Sequence, residues 1–271
     1  MKDYGLLEKA QEIGAYILGD RNVPFIPYQQ DSDWSEFFVR YENQSIPGFE
    51  TFACTCFAIT TQIEILEKRL YGVEKNYSDR WLAIVSDLDG TKGTDPQTVY
   101  DAIREYGLIP ESMLPFNDDI NTKKEYFSFK GADREACYAE GKRWLEQNEV
   151  RHDWLWKDRQ RPANYLEVIK DAQRTSPIAI SVSAWNEVNG EFVSDQGSVN
   201  NHLTLGVRFR DGREQAFDTY EQDGTNLKIL AKDHNIRRAK RIHLQKRTKS
   251  AMRKDISTLT LIVNFLKSLV K

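Results

Sequence analysis

The chain has 271 residues, 40 % of them hydrophobic and 29 % charged, with six Trp, 12 Tyr, 13 Phe and a net charge of -3. That aromatic and apolar mass is enough for a real core and excludes a disordered chain, and the near-neutral charge gives no global attraction for nucleic acid or an anionic membrane. No run of about 18 apolar residues occurs, so no segment is expected to span a bilayer, and the opening MKDYGLLEKAQEIGAYILGD lacks the basic start and apolar stretch of a signal peptide.

In chain order, Leu6, Leu7, Ala10, Ile13, Ile17 and Leu18 predict a helix over 3–19, and Pro24 and Pro27 an extended connector. Residues 33–41 are aromatic-rich and fit helix or strand, and SIPGFE over 45–50 reads as a loop. From Cys54 the pattern is strongly helical up to Gly72. Asp95 as cap, Pro96 in the first turn and Gly107 as stop predict a helix to Tyr106. Further helices are expected over 131–148 and 162–174. The character then changes to strand over 177–185, 202–209 and 214–220, the last two joined by an Asp211-Gly212 hairpin turn. Helices first and strands second predict an α+β fold with segregated halves.

Three cysteines, Cys54, Cys56 and Cys137, make an odd set with no disulfide framework, which suits a reducing, intracellular compartment. The Cys54-x-Cys56 pair has no second Cys or His pair nearby at ligand spacing, so no metal and no cofactor is expected. Cys54 opens a helix just after a Pro-Gly loop, where the helix dipole and free N–H groups lower a thiol's pKa. The plain alternative is a small buried residue at a helix start. His202 opens an apolar strand, and Asp218 follows across the hairpin, where it could orient the imidazole; the plain alternative is a surface His and a turn Asp.

The segment Cys54-Thr55-Cys56-Phe57-Ala58 through Ile63-Glu64 resembles the nucleophile helix of papain-like cysteine peptidases. Tyr77 to Leu82, Gly93 to Gly107, Glu111, Pro115-Phe116, Ser176 to Ile180, Asn201-His202 and Asp218-Thr219-Tyr220 follow in the order of that family's motifs. The resemblance covers roughly residues 33–242. It implies a helical half carrying the nucleophile and an antiparallel β-sheet or barrel half carrying His and Asp. Matching Phe57, Ile63 and Glu64 selects Cys54; matching on Cys56 loses the Glu register. Three departures stand out: Asp218 replaces the usual Asn, Gly48 stands where an oxyanion-hole Gln is usual, with Gln44 the nearest substitute, and Thr55 replaces a Trp. The resemblance implies a peptidase acting on polypeptides through Cys54, His202, Asp218 and Gln44. A related acyl transferase or peptide ligase, and a decayed fold with a binding role, are the alternatives. No inhibitory propeptide is expected, since the residues before Cys54 lack the long charged helix of such segments.

The expected division is 1–32 as N-terminal helix and connector, 33–245 as peptidase domain and 246–271 as a tail. A basic run from Arg237 to Lys254 usually reads as a solvated face or tail. The apolar stripe from Ile256 to Val270 is too short for a bilayer and could meet the chain's own helices, a partner or a membrane surface.

Overall fold

A computed structural model describes residues 5–11, 17, 24–46, 48–117, 119–158, 160–194, 197, 199–222 and 225–247. A two-residue-per-strand hairpin comes first, β1 (Ser45–Ile46) and β2 (Phe49–Glu50), turning through Gly48 at φ 115°. Six helices follow, α1 (Cys54–Tyr71), α2 (Asp79–Val85), α3 (Pro96–Tyr106), α4 (Lys123–Tyr126), α5 (Arg134–Gln147) and α6 (Tyr165–Gln173). The later strands are β3 (Asn148–Trp154), β4 (Ile178–Val182), β5 (Asn186–Val188), β6 (Glu191–Val193), β7 (His202–Arg210), β8 (Arg213–Gln222), β9 (Thr225–Ile229) and β10 (Ala239–Lys246). Six of them form one antiparallel sheet in the order β3-β10-β4-β7-β8-β9.

The helix starts and stops obey local chemistry. Asp95 accepts a bond from the Gln97 N–H to cap α3, and Pro96 fills the first turn, where its missing N–H has no helical partner anyway. Gly72, at φ 65°, closes α1 in the left-handed conformation. Unlike a surface helix, α1 is buried on every side from Cys54 to Glu67. Its polar side chains therefore need internal partners. Gln62 donates to the Pro177 carbonyl at 2.6 Å and accepts from the Tyr100 hydroxyl, and Glu64 accepts from the Tyr77 N–H at 2.7 Å. One apolar cluster joins α1 to the near face of the sheet through Phe57, Ile63, Leu203, Leu205 and Ile242. A second lies on the far face, between Ile169 of α6 and Ile178, Ile180 and Ala216.

Two expectations are corrected. Residues 5–11 are extended rather than the start of a helix over 3–19. Their N–H groups bond across to other segments instead of to their own chain, as the next subsection details. The described part of the basic run is solvated only in places: Arg237 and Lys246 are exposed, but Lys240 and Arg241 are buried. Arg241 pairs with buried Asp153 through two bonds of 2.7 and 3.0 Å, and Lys240 donates to Gln97 at 2.7 Å with its ammonium 4.0 Å from the centre of the Trp154 ring. Arg238 pairs with Asp95 at 3.0 Å and Asp158 at 2.9 Å. The helix expected over 256–270, and the rest of the tail past Arg247, lie outside the described residues. Among those described, no helix is long and apolar enough to cross a membrane.

Candidate active site

Cys54 is the first residue of α1, ahead of the helix's own hydrogen bonds, which begin with the Cys56 N–H donating to the Ala53 carbonyl at 2.8 Å. The helix end is aimed at the start of β7. There the Leu203 N–H points at Cys54 Sγ across 3.5 Å, and His202 stands one residue earlier. The β7–β8 hairpin carries Asp218 back alongside, so that His202 Nε2 and Asp218 Oδ1 are 2.5 Å apart. A carboxylate has no proton to give, so the ring nitrogen donates. Burial pushes the imidazole down, but the Asp218 charge, the Cys54 charge and hydrogen bonds to both outweigh it and raise the ring to about 10. At neutral pH His202 is therefore an imidazolium between a carboxylate and a sulfur. Cys54, His202 and Asp218 are all 0 % exposed.

Cys56 faces elsewhere. Two residues along a helix rotate a side chain about 200°, and Cys56 meets Asp79 and Ser86 behind the helix. Burial first, then the charges of Asp79 and Cys54, push its thiol well up, which makes it a poor nucleophile. The same region buries Glu64 and Asp79, with Glu111 pushed up to about 8 mainly by burial. Cys137 is buried in a separate cluster with Trp81, Ile109 and Leu114. Among the described residues no group of His, Cys, Asp and Glu is arranged to hold a metal ion.

The chain is similar in structure to several solved cysteine proteases. Xylellain from Xylella fastidiosa matches with a TM-score of 0.57 and 14 % identity over 90 % of this chain and 99 % of that one. The cysteine protease and lectin-like domains of Cwp84 from Clostridium difficile match with a TM-score of 0.60 and 11 % identity over 91 % of this chain and 57 % of that one. Digestive procathepsin L 3 of Tenebrio molitor matches with a TM-score of 0.55 and 16 % identity over 81 % of this chain and 73 % of that one. The fold is that of the papain-like cysteine proteases. Neither a protein-family model nor a curated protein matches the chain.

Within this papain-like frame, Gln44 has a different place from the one anticipated. The 45–50 insertion is the β1–β2 hairpin, and it keeps Gln44 buried beside Thr219 and Tyr220. The Gln44 amide donates to the Tyr220 hydroxyl at 2.6 Å and to Glu50 at 3.3 Å, and its oxygen accepts from Thr219 at 2.7 Å. Both amide protons are engaged, so Gln44 reaches the site through Tyr220 rather than as an open donor above the thiol. The Tyr220 ring in turn packs 5.4 Å from His202. Thr55, standing where a Trp is usual, donates to the Thr94 carbonyl at 3.1 Å and ties α1 to the facing wall.

The sequence did not point to what closes the site. Leu6 donates to the Asn201 carbonyl at 3.3 Å, Leu7 donates to the Thr94 carbonyl at 3.2 Å, and the Thr94 N–H donates to Gly5 at 3.1 Å. Residues 5–7 thus bridge the two walls beside Cys54 and His202. Further along, the Lys9 N–H bonds Asp95 at 2.9 Å and the Gln11 N–H bonds Asp158 at 2.8 Å. Fit is close enough to need glycine: a side chain on Gly5, at φ 100°, would stand 2.2 Å from the Phe52 carbonyl oxygen, and one on Gly93 1.5 Å from Gly5. Helical periodicity hid this segment, because Leu6 and Leu7 suit a helix as well as an extended chain.

Trp185 and Lys228 were also missed. Trp185 Nε1 donates to Asp218 Oδ2 at 2.9 Å, its ring meets His202 edge-on at 5.5 Å, and Lys228 Nζ lies 4.0 Å from the same Oδ2. Trp185 closes an apolar strand run and Lys228 sits in an ordinary alternating strand, so only the pairing of β8 with β9 brings Lys228 to the site.

Proposed function

We propose that the chain is a cysteine peptidase in which Cys54 attacks the carbonyl of a peptide bond. The observation that carries this is the helix-start thiol set against an imidazolium that is itself held by a buried carboxylate. In this reading the Cys54 thiolate adds to the carbonyl carbon, and His202 gives its proton to the leaving amine as the C–N bond breaks. Water then adds to the thioester while His202 takes up its proton, and the thiolate leaves. Asp218 keeps the ring oriented and favours its charged form. The N–H groups of the first turn of α1 supply donors for the developing oxyanion, and Gln44 contributes if substrate draws its amide away from Tyr220 or Glu50.

A polypeptide substrate has to displace residues 5–7, since they occupy the hydrogen-bonding edges at Thr94 and Asn201. Alongside them runs a cleft of ≈ 1100 Å³ lined by Glu8, Gln11, Asp158, Arg161, Arg237 and Arg238. We place the peptidase domain at residues 33–245, with residues 5–11 lying along its walls as a covering segment. The tail from 246 is an appendage open to a partner or a membrane surface.

The test is hydrolysis of a denatured protein by the full chain and by Cys54→Ala and Cys56→Ser variants. Cleavage is expected from the parent and from Cys56→Ser and is abolished in Cys54→Ala. Transfer of the acyl group to an added amine instead of water would assign an acyl transferase, and an inert parent with an unreactive Cys54 would assign a binding role.

A further inference from the structure

Lys228 is fully buried on β9, opposite Ala216 of β8 and two residues from the register of Asp218. An ammonium taken out of water is retained only where an opposite charge answers it. Its salt-bridge partner is Asp218 Oδ2 at 4.0 Å, and the ammonium also lies over the rings of Trp185 at 5.3 Å and Phe192 at 5.0 Å. The same Oδ2 accepts from Trp185 at 2.9 Å and from the Tyr220 N–H at 3.3 Å, while Oδ1 faces His202.

We infer that Lys228 is a positioning residue, the counter-charge that lets a carboxylate at 218 do what a neutral amide does in related proteins. This rests on the peptidase reading of the site. An amide would orient the ring without adding charge. A carboxylate adds a negative charge to a sealed pocket that already holds the Cys54 sulfur, and Lys228 restores the balance. With it, two acidic and two basic groups stand together: Cys54 and Asp218, His202 and Lys228. Among the described residues, the other titratable groups facing them include the Tyr220 hydroxyl from β8, Glu50 beyond it from β2, and His234 from the segment after β9, and none of these three supplies a positive charge. His234, 6.3 Å from the Trp185 ring and bonded to the Phe192 carbonyl, is pushed down by burial and is neutral at pH 7.

The pairing is tested by a double-mutant cycle of Lys228→Met, Asp218→Asn and both together. The readouts are the unfolding equilibrium and the His202 ring titration, followed by nitrogen NMR. Lys228→Met takes a cation from beside the Asp218 carboxylate and Asp218→Asn takes an anion from beside the Lys228 ammonium, so each is destabilised. Lys228→Met moves the His202 midpoint up, because a nearby cation is gone. Asp218→Asn moves it down. The double variant regains stability, with ~10-fold or greater non-additivity in the folding equilibrium, and its His202 midpoint falls between those of the singles. Additive losses together with a His202 midpoint unmoved by Lys228→Met would overturn the inference and leave Lys228 a packing residue. If Lys228→Met does not fold, Lys228→Arg keeps the charge and is expected to hold the His202 midpoint at the parent value; a shifted midpoint there refutes the role. None of these readouts needs turnover, so failure to cleave peptides, which would refute the peptidase reading, is scored separately.

Discussion

Gly5→Ala is expected to open the site. The substitution puts a methyl group 2.2 Å from the Phe52 carbonyl oxygen at a residue held at φ 100°, so the segment cannot keep its path. Eight hydrogen bonds hold residues 5–11 on the walls, at about 1 kcal/mol each net. Burial of Leu6, 7 % exposed, adds about 2 kcal/mol. Ordering these residues costs at least about 1 kcal/mol apiece, so closure is close to balanced and a small penalty tips it. The left-handed conformation alone costs alanine about 1–2 kcal/mol, and the clash with backbone adds to that. A total near 3 kcal/mol corresponds to about 10²-fold in the opening equilibrium. The assay is the rate of Cys54 alkylation by iodoacetamide at pH 7, read by peptide mass spectrometry. An increase of about 10- to 100-fold over the parent is expected, with peptide hydrolysis rising in parallel. An unchanged rate in a folded Gly5→Ala protein would show that residues 5–7 do not gate the thiol.

Gln44→Ala should lower the turnover number with little change in Cys54 labelling, since in the proposed reading substrate draws its amide from Tyr220 and Glu50 to the oxyanion while the thiol and imidazole stay in place; equal loss in both measurements would make its role structural. Stability should fall as pH rises. Glu111 is raised to about 8 and His202 to about 10, above unfolded values of about 4.3 and 6.5, so each stabilises fully below its unfolded value and stops doing so as pH climbs through its folded one. Denaturant midpoints should therefore drop between pH 6 and 10, and Glu111→Gln should flatten the part below about pH 8; a midpoint constant over that range would contradict both assignments. A chain ending at Arg247, whose N–H caps the sheet edge by bonding the Gln147 carbonyl at 2.8 Å, should fold and keep a reactive Cys54. Insolubility of that truncation would place the tail in the core.

Those parts of the fold set by local chemistry were legible from the residues. Pro96 after Asp95, Gly72 and Gly107 bounded their helices, and Asp211-Gly212 marked the hairpin that carries His202 and Asp218 to one place. Cys54 could be told from Cys56 because helical rotation separates them. What escaped was set by distant pairing. Lys228 carries no site signal of its own in the sequence, and only the docking of β9 on β8 brings it to Asp218. Lys240 and Arg241 read as part of a basic tail until β10 inserts between β3 and β4. Leu6 and Leu7 gave the right apolar content with the wrong period, because an extended segment lying in a cleft follows the walls that bind it rather than a repeat of its own. Gln44 was singled out as the nearest Gln before Cys54, but its amide direction depends on Tyr220 and Glu50, which no spacing rule supplies.

The most direct test of the account is iodoacetamide labelling of the open Gly5→Ala variant at pH 7, with His202 intact and with His202→Ala, read by peptide mass spectrometry. Label is expected on Cys54 alone, and His202→Ala is expected to slow it. Label shared with Cys56 or Cys137, or a Cys54 rate unmoved by His202→Ala, would contradict the claim that Cys54 and His202 act as a pair.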